Sequence, residues 1–324
     1  MAYRPTFPSF DRRAPGSPIV MAALAAAILL AAAPRPLHAR TQAPATAAAA
    51  AKTGYADVDG ARIHYQVYGD LASGRTPLLV LHGAFMSGDA MGPLIAPLAA
   101  TRPVIAIDAR GHGRTGDAPG GLSYDRMAND ADGVLAALKV EKADVLGYSM
   151  GAATALRLAM LHPGRIGKQV IISGAYRLDG MPPELIKNIA SLTPEIFAGS
   201  PIESGYKKTS PTPDAFPTLV NEIKALDAAD FAWPEDEIRA IKGKTMVIAG
   251  DNDGTTLEHT IALFKLRGGY DLPTILQGFM TEAPKARLAI LPATSHIGIM
   301  AEAPGIAAMV TPFLDDKAPP PPPF

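Results

Sequence analysis

The chain has 324 residues, with 30 lysines and arginines against 31 aspartates and glutamates, and it contains no cysteine. This length predicts one large domain or two small ones, with enough residues to form a hydrophobic core without a disulfide or a structural metal. The nearly neutral charge argues against nucleic acid as a partner. The lack of cysteine excludes a thiolate nucleophile, a zinc–thiolate site and an iron–sulfur cluster.

The first 39 residues have the order of a secretory signal peptide. Arg4, Arg12 and Arg13 precede an uncharged apolar run from Ile19 to Ala33, and prolines and small residues follow it. This run is shorter than the ~20 residues that an apolar helix needs to cross a bilayer, although an uncleaved, tilted anchor is the alternative. We therefore expect export to the periplasm or the medium, and no stable membrane association once the signal has been cleaved.

Residues 40–53 are rich in alanine and threonine, which predicts a flexible leader. Residues 315–324 end in a proline run, which predicts a short polyproline II tail. Between these ends, residues 54–314 alternate short apolar runs with longer segments of helical periodicity. This alternation predicts an α/β domain with a mostly parallel sheet and helices on both faces.

The expected strands cover Ile63–Val67, Pro77–His82, Val104–Asp108, Ala143–Gly147, Val170–Ser173, Thr245–Gly250 and Arg287–Leu291. One stretch, residues 174–242, contains no convincing strand pattern, only short helical pieces interrupted by proline. We interpret it as a helical cap inserted between two strands of the sheet.

The motif Gly147-Tyr148-Ser149-Met150-Gly151 stands where a predicted buried strand meets a predicted helix. This is the arrangement of a nucleophile elbow, in which a serine occupies a sharp turn with a strained backbone. The two glycines let the strand and the helix approach each other, so that the serine hydroxyl stays exposed. Ser149 is therefore the candidate nucleophile.

A serine hydroxyl needs a base, and the base needs a carboxylate that fixes its tautomer. Of the seven histidines, His296 lies in a loop directly after the last predicted strand, at the sheet edge where the elbow also lies. Asp251 and Asp253 follow the preceding strand at the same edge. Either could serve, and Asp253 is favoured because it lies farther from the strand end, while Asp251 better suits a role in capping the turn.

An acyl-transfer reaction also needs two donors for the developing oxyanion. The N–H group of Met150 follows the nucleophile directly. The second donor should come from His82-Gly83-Ala84-Phe85, with Ala84 favoured over Phe85. His82 is interpreted as a structural residue of this loop.

Together these motifs make the chain resemble the α/β-hydrolase superfamily over about residues 54–314, in its lidded esterase, lactonase and haloperoxidase-like branch. The matching pieces are Leu81-His82-Gly83, the turn Asp108–Gly116, Gly147–Gly151, Gly250–Asp253 and Ser295-His296. The resemblance implies the α/β-hydrolase fold, the chain order Ser149, Asp253, His296, and a structural role for the Asp108–Gly116 turn. Gly254 departs from the family pattern, in which an apolar residue is commoner at this position.

The expected activity is hydrolysis of a small to medium, apolar carboxylic ester or lactone through an acyl-enzyme on Ser149. We expect Phe85 and Trp233 to contact this small-molecule substrate, and we expect neither a cofactor nor a metal. The alternatives are a carbon–carbon bond hydrolase acting on a meta-cleavage product, a cofactor-free haloperoxidase or perhydrolase, and a non-catalytic binding protein on the same fold.

Overall fold

The computed structural model describes residues 52–229, 231–280 and 282–320. The predicted signal peptide (1–39) and most of the predicted leader lie outside the described residues, so export and signal cleavage stay predictions. No helix in the described ranges is both long enough and apolar enough to cross a membrane.

One eight-stranded sheet, in the order β1-β2-β4-β3-β5-β6-β7-β8, forms the centre of the molecule. The strands are β1 Lys52–Val58, β2 Ala61–Tyr68, β3 Leu78–Leu81, β4 Val104–Ile107, β5 Ala143–Tyr148, β6 Ile166–Ile172, β7 Thr245–Asn252 and β8 Ala286–Ser295. The first two strands pair antiparallel, and β2 pairs antiparallel with β4. All pairings from β4 through β8 are parallel, which confirms the predicted mostly parallel sheet.

Helices cover both faces of this sheet, and further helices lie in the segment between β6 and β7. They are α1 Gly92–Ala99, α2 Tyr124–Ala137, α3 Met150–Leu161, α4 Pro183–Ala190, α5 Pro201–Thr209, α6 Phe216–Ala228, α7 Glu235–Ala240, α8 Leu257–Leu266, α9 Leu272–Gln277 and α10 Ala303–Leu314. Every residue of β3 and β4 is buried, which requires cover on both faces. Along β3, Leu79 packs in the core with α2 and α3, while Leu78 packs on the other face with α1 and α10.

Both predicted ends of the domain need correction. The leader was expected to reach residue 53, but Lys52 and Thr53 already belong to β1, where they pair with Val67 and Gln66 of β2. Because these residues pair with β2 as an edge strand of the sheet, the folded domain begins at residue 52 or before it.

The tail was expected to begin at residue 315, but two acidic residues there are tied to the body by ion pairs. Asp315 accepts a hydrogen bond from Arg102 at 2.5 Å, and Asp316 lies 2.8 Å from both Lys168 and Lys244. The folded body therefore extends at least to residue 316, because these basic side chains hold the chain beyond the end of α10.

The cap is the segment between Ile172, where β6 ends, and Thr245, where β7 begins, and it contains α4 to α7. An isolated antiparallel bridge between Arg177 and Ala232 joins its two ends. Its own core is an apolar cluster built from α5 and α6: Tyr206, Phe216, Leu219, Val220 and Ile223. Ala84 and Phe85 of the loop after β3 pack against this cluster, so the cap lies over the carboxyl edge of the sheet.

Candidate active site

Ser149 stands at the junction of β5 and α3 in a backbone conformation that L-residues rarely adopt. Its φ is 54° and its ψ is −119°, and it forms the N-cap of α3. The N–H of Ser149 donates to the carbonyl oxygen of Ile172 at 2.9 Å, which ties the turn to β6. The elbow thus presents a partly exposed serine side chain at the carboxyl edge of the sheet.

The two glycines of the motif are required by close backbone contacts. A Cβ on Gly147 would lie 2.1 Å from the carbonyl oxygen of Gly151. A Cβ on Gly151 would lie 2.3 Å from the carbonyl oxygen of Leu81 in β3. Both distances are far below van der Waals contact, so the strand and the helix can approach this closely only with glycine at both positions.

His296 connects Ser149 to Asp253. The Ser149 hydroxyl donates to Nε2 of His296 at 2.9 Å, in the tautomer that carries the ring proton on Nδ1. The Nδ1–H group of His296 donates to Oδ1 of Asp253 at 2.6 Å. The structure therefore brings together the nucleophile, base and acid that the sequence proposed.

The side chain of Asp253 is fully buried and has donors on both carboxylate oxygens. Oδ2 accepts from the hydroxyl of Ser173 at 2.6 Å and from the N–H of Gly250 at 3.0 Å. Burial by itself would raise the pKa of Asp253, but the hydrogen bonds from His296 and Ser173 outweigh burial and hold this pKa below its usual value. Asp253 is thus kept as a carboxylate beside His296.

Asp251, the alternative acid, lies elsewhere. Its exposed carboxylate accepts hydrogen bonds from the N–H groups of Ala293 at 2.8 Å and Thr294 at 3.0 Å. These backbone donors lower the pKa of Asp251. These contacts join the end of β7 to the end of β8. Asp251 therefore has a structural role and does not orient His296.

The loop after β3 places the candidate oxyanion donors. The N–H groups of Ala84 and Met150 donate to no acceptor among the described residues, so both remain free to bind a ligand oxygen. His82 fixes this loop: its Nδ1–H donates to the carbonyl oxygen of Gly83 at 2.7 Å, and its Nε2 accepts from the N–H of Ala109 at 3.0 Å. Burial lowers the pKa of His82, which favours the neutral ring that both contacts need.

The sequence did not predict that two further residues, Ser173 and Tyr148, support the site. Ser173 follows β6, is buried, and adopts φ of 54° while its hydroxyl bonds Asp253. Tyr148 donates its hydroxyl to the carbonyl oxygen of His296 at 2.8 Å and so holds the loop that carries His296. Tyr148 is the variable position of the elbow motif and Ser173 belongs to no motif, so the sequence held no signal for either.

The two residues predicted to contact substrate lie in different places. Phe85 is partly exposed, and its ring packs 4.9 Å from that of Phe197 in the cap. Trp233 packs at 5.5 Å against Tyr124, which begins α2, and beside an apolar cluster that contains Met150. Trp233 therefore lies beside the cluster that contains Met150, the residue after Ser149, while Phe85 packs against the cap cluster of α5 and α6.

Gly254, the departure from the family pattern, has a local explanation. A Cβ at this position would lie 3.1 Å from Cδ2 of Leu185 in α4 and 3.2 Å from Nδ1 of His296. These distances are tighter than ordinary van der Waals contact, so a larger residue would press against the cap and the histidine together. Glycine here allows α4 to lie against the Asp253–His296 pair.

Comparison with known proteins agrees with this fold. The sequence profile of the alpha/beta hydrolase family matches residues 78–308, and the chain belongs to that family.

Among curated relatives, the predicted carbamate hydrolase RutD of Caulobacter segnis is 40% identical over 124 residues, which are 38% of this chain and 46% of that protein. The chain thus matches less than half of the length of this relative. An enol-lactonase from Burkholderia xenovorans shares the fold, with a TM-score of 0.60 and 23% identity over 81% of this chain and 99% of that one. An N-acyl homoserine lactone degrading enzyme gives a TM-score of 0.60 and 26% identity over 80% of this chain and 99% of its own.

Proposed function

We propose that this alpha/beta hydrolase is a serine hydrolase that cleaves small to medium, apolar carboxylic esters or lactones through an acyl-enzyme on Ser149. The observation that carries the proposal is the continuous chain of hydrogen bonds from the Ser149 hydroxyl through His296 to Asp253, at 2.9 and 2.6 Å. The free N–H groups of Ala84 and Met150 beside this chain support it.

In the proposed reaction, Nε2 of His296 takes the proton as the Ser149 oxygen bonds to the acyl carbon. The negative charge passes to the carbonyl oxygen, which the N–H groups of Ala84 and Met150 bind. His296 then gives its proton to the departing alkoxide, and the acyl-enzyme remains. Water, deprotonated by the same nitrogen, attacks the acyl carbon and restores the Ser149 hydroxyl.

An apolar substrate is supported by what surrounds the serine. Two apolar clusters meet at Ala84, one centred on α5 and α6 and the other on Tyr124, Met150 and Leu226. A carbamate carries the same kind of acyl carbon as an ester, and the names of the similar proteins include a carbamate hydrolase, an enol-lactonase and an N-acyl homoserine lactone degrading enzyme. Carbamates and lactones therefore belong in the substrate panel.

The test is turnover of p-nitrophenyl esters of graded acyl length, lactones and carbamates by the purified chain and by Ser149→Ala. We expect Ser149→Ala to fold normally and to lose at least about 10³-fold in kcat, because no other group replaces the nucleophile. A fluorophosphonate probe should label Ser149 in the unmodified protein and react much more slowly with His296→Ala. Turnover retained by Ser149→Ala would contradict the assignment.

A matched pair of carboxylate variants tests the acid. Asp253→Asn should lower kcat by about 10³- to 10⁴-fold, because the amide stabilises the wrong histidine tautomer. Asp251→Asn removes the same charge two residues away and should keep most of the activity.

Cleavage of a meta-cleavage product, or peroxide-dependent turnover, without ester hydrolysis would favour one of the alternative chemistries.

A further inference from the structure

The cap helix α6 carries one acidic residue on its buried face. Its buried side chains form a stripe along the helix: Phe216, Leu219, Val220, Ile223 and Leu226. Asp227 lies four residues after Ile223 and therefore on the same face. Its carboxyl is only partly exposed and has neither a hydrogen bond nor an ion pair to any described residue, and burial raises its pKa to about 6.

A second polar group without a partner lies nearby, on the body of the protein. Tyr124 is 9% exposed, and its hydroxyl makes no hydrogen bond within the described ranges. Burial and, after it, the negative charge of Asp227 raise the pKa of Tyr124. Tyr124 packs in one cluster with Leu226, the residue next to Asp227 in the chain, and no hydrogen bond joins the hydroxyl to the carboxyl.

These two groups are continuous with the proposed active site. Tyr124 and Leu226, the neighbour of Asp227, belong to one apolar cluster with Met150, the residue after Ser149. Ala84, which carries the other proposed oxyanion donor, packs against the same cluster. The rings of Phe231 and Trp233 complete it, 4.9 and 5.5 Å from the ring of Tyr124.

The carboxylate of Asp227 is suited to bind a cation. A partly buried charge without a partner is destabilising, and a charge-assisted hydrogen bond is the interaction that best offsets this. Neighbouring tyrosine and tryptophan rings attract a cation further. We propose that Asp227 and Tyr124 form a substrate subsite that binds a protonated amine carried by the ester or lactone. This inference rests on the proposed hydrolase function and refines its substrate class to esters or lactones that carry an amine on an otherwise apolar chain.

The test compares substrates that differ only in the charge of their end group. One series is p-nitrophenyl esters of ω-amino acids of increasing length, each paired with the alkanoate in which a methyl group replaces the ammonium group. A second series carries the amine in the alcohol part, as aminoalkyl acetates paired with alkyl acetates. We expect kcat/KM to favour the ammonium substrate by about tenfold or more at the chain length that reaches Asp227.

Variants then assign this preference to the two groups. Asp227→Asn should bring the ratio of the two kcat/KM values close to one, and Tyr124→Phe should lower the ratio by a smaller factor. Asp227→Leu completes the apolar stripe of α6, so it should raise the melting temperature while abolishing the preference. Asp214→Asn removes an exposed carboxylate from the same cap and should keep the ratio of the unmodified protein.

Two results would overturn the subsite: no preference for the ammonium substrate at any length, or a preference that survives in Asp227→Asn. Either result, obtained with neutral esters that are still cleaved through Ser149, would leave the hydrolase function standing. No turnover of any ester, lactone or carbamate would instead count against the proposed function itself.

Discussion

The role of Ser173 depends on the direction of its hydroxyl group, which points at Asp253. It donates to the carboxylate oxygen of Asp253 that His296 leaves free, at 2.6 Å, and it is too deeply buried to meet a substrate. Its φ of 54° is a strained conformation for any residue other than glycine. We infer that this strain is maintained because it directs the hydroxyl at Asp253, which makes Ser173 a positioning residue.

Replacing Ser173 separates this role from a purely structural one. Ser173→Gly relieves the backbone strain and should keep or raise the melting temperature, while kcat falls about tenfold, equivalent to about 1.4 kcal/mol, through loss of a hydrogen bond to a charged group. KM should stay unchanged, because Ser173 does not touch the substrate. Steady-state kinetics and thermal unfolding measure both effects. Unchanged kcat in Ser173→Gly and in Ser173→Ala would show that the hydroxyl is dispensable.

At the scale of elements, the seven predicted strands are present as β2 to β8, with shifted ends. The clearest matches are the strands that are buried on both faces, because a run such as Leu78–Leu81 has no polar position that could face water. The local sequence pattern predicted no strand at β1 and no helix at α1 or α9. These are an edge strand with polar exposed positions, a helix with an internal proline, and a helix of six residues, for each of which the local pattern is weak.

The junction of β5 and α3 yields a prediction about packing between elements. Gly151→Ala should lower the free energy of unfolding by about 2–3 kcal/mol, because its Cβ would collide with the backbone of β3. Gly205→Ala, the same substitution in the exposed helix α5, has open space around the new Cβ and should raise it by about 0.5–1 kcal/mol. Urea unfolding measures both. Equal effects of the two substitutions would contradict the close approach seen at the elbow.

At the scale of the whole molecule, buried histidines make the fold sensitive to acid. Burial lowers the pKa of His112 to about 3 and that of His259 to about 4, from 6.5 in the unfolded chain. The folded state therefore binds fewer protons than the unfolded state below pH 6.5. The stabilisation is fully present above this pH and is lost progressively as the pH falls towards the folded pKa values.

Between pH 7.5 and 5 each of these histidines should remove about 2 kcal/mol from the free energy of unfolding. Urea unfolding at a series of pH values measures this slope. His259 stacks on Tyr176 and accepts from its N–H, so His259→Gln, which cannot take up a proton, should show a shallower slope even where it is less stable at neutral pH. A variant with the slope of the unmodified protein would rule out His259 as a source of the acid sensitivity.

The sequence by itself determined the fold class, the cap insertion and the candidates for nucleophile, base and acid. It could do so because these features rest on local requirements: a strand covered on both faces must be apolar throughout, and a turn as tight as the one at Ser149 requires glycine at positions 147 and 151.

Only the tertiary structure decided which contacts these residues make. Asp251 and Asp253 lie two positions apart in one turn, and their different partners, the end of β8 and His296, come from distant parts of the chain. Ser173, Tyr148 and Asp227 carry no motif, and their surroundings arise only when β6, the His296 loop and the cap come together. The local sequence around a serine, tyrosine or aspartate does not show which distant residue its side chain will contact. That partner is decided only when the chain folds.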